Sequence, residues 1–138
     1  MSLIHPELVE LAAEAMLEKK ARDVRIIDLR NLTAIVDYFV ICSADSEPQM
    51  KAIADQVTDD LKAQATRPWH VEGTQSWRWV LIDYVDVVVH IFREETRMFY
   101  SLERLWGDAP ITQVSINPDT GQIRHITDCP PEEEVVHE

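Results

Sequence analysis

The sequence predicts one α/β domain, a mixed β-sheet flanked by helices, and three observations point there. Helical and strand-like periods follow one another as helix, two strands, helix, three strands, helix, the pattern of an α/β layer structure. The run WRWVLIDYVDVVVHIF, Trp77 to Phe92, reads as two apolar strands joined by a tight turn at Asp83, Tyr84, Val85 and Asp86. Its second strand is apolar on both sides, with Val87, Val89 and Ile91 on one and Val88, His90 and Phe92 on the other, so both faces are expected to be covered. Finally, 138 residues of 46% hydrophobic composition are enough for one real core and too few for two ordinary domains.

The first helix is expected to begin near Pro6, with Leu8, Leu11, Ala12, Ala15 and Met16 as its inward stripe. Lys19, Lys20 and Arg22 near its end suit the helix dipole. A strand over Val24–Leu29, a connection over Asn31–Ile35 and a second strand over Asp37–Ala44 follow. The next helix carries the clearest local signal, because Ser46 and Gln49 fit a capping box and Pro48 lies in the first turn. Met50, Ile53, Ala54, Val57 and Leu61 continue it as one apolar face, and Arg67 and Pro68 end it. Trp69–Glu72 is a short strand closed by Gly73 ahead of the hairpin. After the hairpin, residues 94–106 return to helical period, with Met98, Phe99, Leu102, Leu105 and Trp106 on one side and Gly107 just past the end.

Residues 1–107 therefore form the main unit and residues 108–138 an extension. The extension comprises a hairpin over 111–127, with turn residues Asn117 to Gly121 at its tip, and an acidic tail over 128–138. The hairpin reads as an appendage. Half of the net charge of −12 lies in that extension. Such a balance disfavours non-specific attraction to nucleic acid and favours a basic protein partner. No apolar run approaches the roughly 18 residues of a membrane span and no basic leader precedes an apolar block, so a cytoplasmic protein is expected. Cys42 reads as a buried thiol and Cys129 falls in the tail, which makes a disulfide between them unexpected.

Three constellations could carry chemistry. Asp83, Asp86 and His90 lie close in sequence, but Asp86 and His90 share a strand face about 13 Å apart, too far to hold one ion alone. The CSADSEPQ turn into the second helix could hold phosphate, yet it has no glycine or P-loop lysine, and Asp45 and Glu47 oppose an anion. Cys42 has no base nearby in sequence and no nucleophile-elbow motif occurs. No metal and no cofactor is expected. What remains is Trp77, Trp79, Tyr84, Arg97, Tyr100 and Trp106, residue types that dominate protein interfaces.

DYFVICSADS followed by a helix, then Glu72-Gly73, WVLIDYVDVVVHIF and RMFYSLERLW, resembles the Iojap-related ribosomal silencing factor family, RsfS, in consistent order from Val24 to Trp106. The resemblance implies a sheet flanked by helices, nucleotidyltransferase-like in outline but without the catalytic carboxylate set. It implies no enzymatic activity. It also implies binding to the fourteenth protein of the large ribosomal subunit on the intersubunit face, so that the small subunit cannot join and translation is repressed. Carried over by motif, recognition would fall to Trp79, Asp83, Tyr84, Asp86, His90, Arg97 and Tyr100. The family usually has glycine where this chain has Val85, which would be costly if the turn needs a positive φ. Two other expectations compete. One is a nucleotidyl-transferring or phosphate-handling enzyme using Asp83, Asp86 and the Ser43–Ser46 turn, and the other is a scaffold whose aromatic surface makes a homodimer.

Overall fold

The computed structural model describes residues 5–96 and 109–128. The chain runs α1 (His5–Glu18), β1 (Arg22–Asp28), β2 (Tyr38–Ala44), α2 (Glu47–Ala63), β3 (His70–Glu72), β4 (Trp79–Asp83), β5 (Val87–Arg93), β6 (Ile111–Ile116) and β7 (Ile123–Asp128). A helical turn starts at residues 94–96; the rest of the helix expected over 94–106, and the tail from Cys129 onward, lie outside the described residues.

The strands form one sheet in the order β3-β4-β5-β2-β1-β6-β7. The pairing of β2 with β5 is parallel and the other pairings are antiparallel. α2, β3 and β4 all lie within the crossover that a parallel pair requires. The C-terminal hairpin is not an appendage. Its β6 lies antiparallel to β1, from Val24↔Val114 to Ile27↔Ile111, so the hairpin extends the central sheet by two strands. His125 Nε2 also lies 2.8 Å from the Glu10 carboxylate, tying β7 to α1.

Both helices contribute to one core, with Val40, Cys42, Val80, Ile82, Val87, Val89 and Ile91 beneath them. The opposite face gathers Ile27, Ile41, Val88 and Phe92, together with Leu29, Val36 and Ala109 from the connections. The two-sided burial expected of β5 is therefore present, since all of its residues but Arg93 are buried. The α1 stripe is wider than its spacing suggests: Val9 and Ala13 are buried along with Leu8, Ala12, Ala15 and Met16, while Leu11 is only partly buried. The extra width serves a helix that touches both the sheet and α2.

α2 begins as its sequence indicates, with Ser46 Oγ accepting the Gln49 amide at 3.3 Å. The Gln49 side chain departs from the capping-box pattern. Its Oε1 accepts from the Asp45 amide at 2.7 Å, and its Nε2 donates to the carbonyls of Lys19 and Lys20 at 3.2 and 2.9 Å. One side chain thus joins the start of α2 to the end of α1. Both helices end in Schellman motifs with a left-handed residue that is not glycine, Lys20 (φ 63°) and Ala65 (φ 62°). The diagnostic bonds are Ala21 N–H to the Met16 carbonyl and Thr66 N–H to the Leu61 carbonyl.

Gly73 is needed where it stands. Its φ is +91°, and a Cβ there would fall 2.0 Å from the Trp79 carbonyl oxygen, on the backbone of the neighbouring strand. We expect Gly73→Ala to lower stability by about 3 kcal/mol, combining left-handed strain with a backbone clash. Urea denaturation checks this; a loss no larger than that of a surface alanine would show that the turn relaxes freely.

Candidate functional site

The hairpin tip is tighter than a two-residue connection usually is. Tyr84 N–H donates to the Val87 carbonyl at 2.8 Å, and Asp86 N–H donates back to the Tyr84 carbonyl at 3.0 Å. That second bond closes a γ-turn centred on Val85, whose φ is 79°. The Asp83 carboxylate supports the turn by accepting the Val85 amide at 2.7 Å. Val85 therefore occupies the conformation in which a β-branched residue is costly, as the glycine of the family motif suggests. The tip is fixed to its neighbour as well, because the Asp86 carbonyl accepts the amides of Asp37 and Tyr38 at 2.7 and 3.2 Å.

The residues singled out from the sequence divide by depth. Asp83, Asp86 and Trp79 are partly exposed. Tyr84 and His90 are buried, at 8% and 3% exposure. The Trp79 indole N–H donates to His90 Nδ1 at 3.1 Å, so that nitrogen is the acceptor and the ring proton sits on Nε2. Trp79 also stacks on Phe92 with ring centroids 4.9 Å apart, and Phe39 meets His90 edge-on at 4.5 Å. Tyr84 packs into the helix-side core, where its hydroxyl has no hydrogen-bond partner among the described residues and burial pushes its ionisation well above the ordinary tyrosine range. Arg97 and Tyr100 lie outside the described residues.

Beside the tip, Arg30 grips the Asp28 carboxylate through two bonds of 2.9 and 2.7 Å. The side-chain hydrogen bond from Arg30 holds Asp28 below the usual carboxylate range. Two exposed apolar residues at the same sheet end, Ile35 and Trp69, were read in the sequence only as parts of a connection and a short strand. Their signal was a large apolar side chain inside a stretch rich in turn residues.

Asp83 and Asp86 flank the start of β5, which pairs with the start of β2, whereas Ser43–Ser46 spans the far end of β2 and the entry to α2. The length of a seven-residue strand separates them, about 20 Å. They cannot form one catalytic centre. Among the described residues, no three His, Cys, Asp or Glu side chains converge to hold a metal ion.

The family model described as "Ribosomal silencing factor during starvation" matches residues 3–134. The chain belongs to the RsfS family. It is 42% identical over 108 residues to the ribosomal silencing factor of Halalkalibacterium halodurans, spanning 78% of this chain and 92% of that one. To the Bacillus subtilis factor it is 38% identical over 107 residues, spanning 78% and 91%. A crystal structure of a Chromobacterium violaceum protein superposes with a TM-score of 0.74 at 35% identity, over 76% of this chain and 88% of that one. RsfS proteins are non-enzymatic regulators that silence ribosomes and repress translation, which sets aside the transferase expectation. No described helix is long and apolar enough to cross a membrane.

Replacing Val85 by glycine removes the γ-turn strain and loses little packing, because Val85 is 57% exposed. After the entropy glycine adds to the unfolded chain, Val85→Gly should raise stability by about 1 kcal/mol, read from the denaturation midpoint. A fall in stability would show that the turn is not strained. Tyr84 supplies a pH prediction. Its folded ionisation lies above the ordinary value of 10.0, so its contribution is complete below pH 10 and is lost as the pH rises further, when the unfolded chain ionises first. Wild type should therefore lose stability from pH 10 upward more steeply than Tyr84→Phe; parallel curves would refute a protected hydroxyl.

Proposed function

We propose that this chain binds the large ribosomal subunit through its fourteenth protein, on the intersubunit face, and represses translation by blocking small-subunit joining. It acts in the cytoplasm by occlusion, with no bond made or broken. The family match over residues 3–134 is the observation that carries this reading. The net charge of −12 supports it, since ribosomal proteins are typically basic and opposite charge speeds encounter.

Within the surface, Asp83 and Asp86 offer carboxylates on a turn fixed from three sides, and Trp79 offers a partly exposed ring held by His90 and Phe92. Tyr84 and His90 act from beneath, by holding the tip and the indole in place. Arg97 and Tyr100 complete the set carried over from the family motif. A surface positioned this firmly loses little conformational entropy on binding, which favours a long-lived complex.

Sedimentation of ribosomal subunits with excess purified protein tests the reading. Protein is expected to travel with large subunits, and the joined-ribosome fraction to fall several-fold. Normal joining with no protein in the large-subunit fractions would overturn it.

A further inference from the structure

One end of the sheet gathers exposed apolar side chains from three separate stretches: Leu32 (43% exposed) and Ile35 (84%) from the β1–β2 connection, Trp69 (74%) before β3, and Val85 (57%) on the hairpin tip. Single exposed apolar residues are ordinary, whereas several at one end of a sheet are not. Their proximity follows from the pairing. β3 starts where β4 ends, at His70↔Asp83, and β5 starts beside the start of β2, at Tyr38↔Val87. Three strand spacings, about 14 Å, therefore separate the strand that begins beside Trp69 from the one that begins beside Ile35, with Val85 between them.

Each of these stretches is pinned. Trp69 N–H donates to the Asp83 carbonyl at 2.7 Å. The Leu29 amide reaches the Asp37 carbonyl at 2.9 Å and closes the connection, inside which the Leu32 and Thr33 amides bond the Leu29 carbonyl. The Ile35 amide is held by Thr33 Oγ1 at 3.1 Å. Among the described residues, acidic groups outnumber basic ones around this patch. Asp37, Asp83 and Asp86 are partly exposed there, Arg30 is engaged by its two bonds to Asp28, and Arg67, two residues before Trp69, is an exposed cation.

We infer that this sheet end is one docking surface, and that it takes a Lys- or Arg-bearing segment of the large-subunit protein whose apolar side chains lie across Ile35, Val85 and Trp69. The inference rests on the function proposed above and adds residues outside the set carried over from the family motif. The carboxylates choose protein over RNA, because phosphates beside three aspartates would be repelled while basic side chains are drawn in. Trp69 is the anchor: it brings the largest apolar area and sits at the edge of a rigid frame.

The test measures co-sedimentation of wild type, Ile35→Ser, Trp69→Ala and the double variant with purified large subunits, with urea denaturation confirming that each variant is folded. The double variant should bind at least tenfold more weakly. Ile126→Ser, an exposed change on β7, should bind like wild type. Wild-type binding with an unweakened double variant would overturn the docking surface and leave the proposed function standing. No binding by wild type would bring down both. Asp86→Lys separates protein from RNA: weaker binding supports the basic protein segment, and tighter binding would mean an RNA neighbour and overturn the assignment.

Discussion

The parallel pairing of β2 with β5 is the constraint on which the rest of the molecule depends. Seven residues of each strand run side by side, from Tyr38↔Val87 to Ala44↔Arg93. A parallel pair requires a long crossover, and residues 45–86, which include α2, β3 and β4, lie between the two strands. Because both strands start at the same sheet end, the connection before β2 is brought against the turn before β5. The bonds from Asp37 and Tyr38 to the Asp86 carbonyl then hold those segments together. A tip on a free hairpin would move independently of the β1–β2 connection, whereas here the two form one edge.

The chain achieves its tight reversals with three glycines in all, and the consequence is visible in the backbone. Lys20, Asp23, Ala65, Trp77 and Val85 all adopt positive φ. Lys20 and Ala65 end helices, where each left-handed residue is repaid by two bonds to otherwise orphaned carbonyls. Asp23 sits at the register shift of the β1–β2 pairing between Arg22 and Arg25, just before Val24, where the pairing with β6 begins. Val85 is different in kind, because it is β-branched and forms a γ-turn at an exposed tip. The ring of the adjacent Tyr84 turns into the helix-side core, where its hydroxyl has no partner among the described residues. The strain at Val85 therefore lies at the edge that carries Asp83 and Asp86, where the surrounding hydrogen bonds are dense enough to maintain it.

Much of this was legible in the sequence, and the reasons are local. Ser46, Pro48 and the spacing of Met50, Ile53, Ala54, Val57 and Leu61 announce α2, and all five apolar residues are buried. Unbroken apolar character announces that β5 is covered on both sides. The place of the C-terminal hairpin was not legible, because residues 111–116 show what the strand is and not which strand it joins. The depth of Tyr84 was not legible for a related reason: its turn-forming neighbours show that a turn occurs and not which way the ring points, and the ring packs in the helix-side core. Gln49 was recognised as a capping residue, but nothing local foretells that its amide reaches back to the end of α1.

Among the described residues, the polar groups of this sheet end are engaged in structure and are not poised for turnover. A general acid or base needs a titratable group poised near neutrality within reach of a substrate. Here Asp28 is held charged by Arg30, while burial pushes Tyr38 and Tyr84 further from the neutral range. One oxygen of the Asp83 carboxylate, Oδ1, accepts the Val85 amide, and His90 Nδ1 accepts the Trp79 indole N–H. Polar groups with a catalytic look are thus engaged in holding backbone and rings still. A rigid edge presenting carboxylates and apolar side chains suits the docking on a basic protein proposed above, and the proposed occlusion requires only that it remain there.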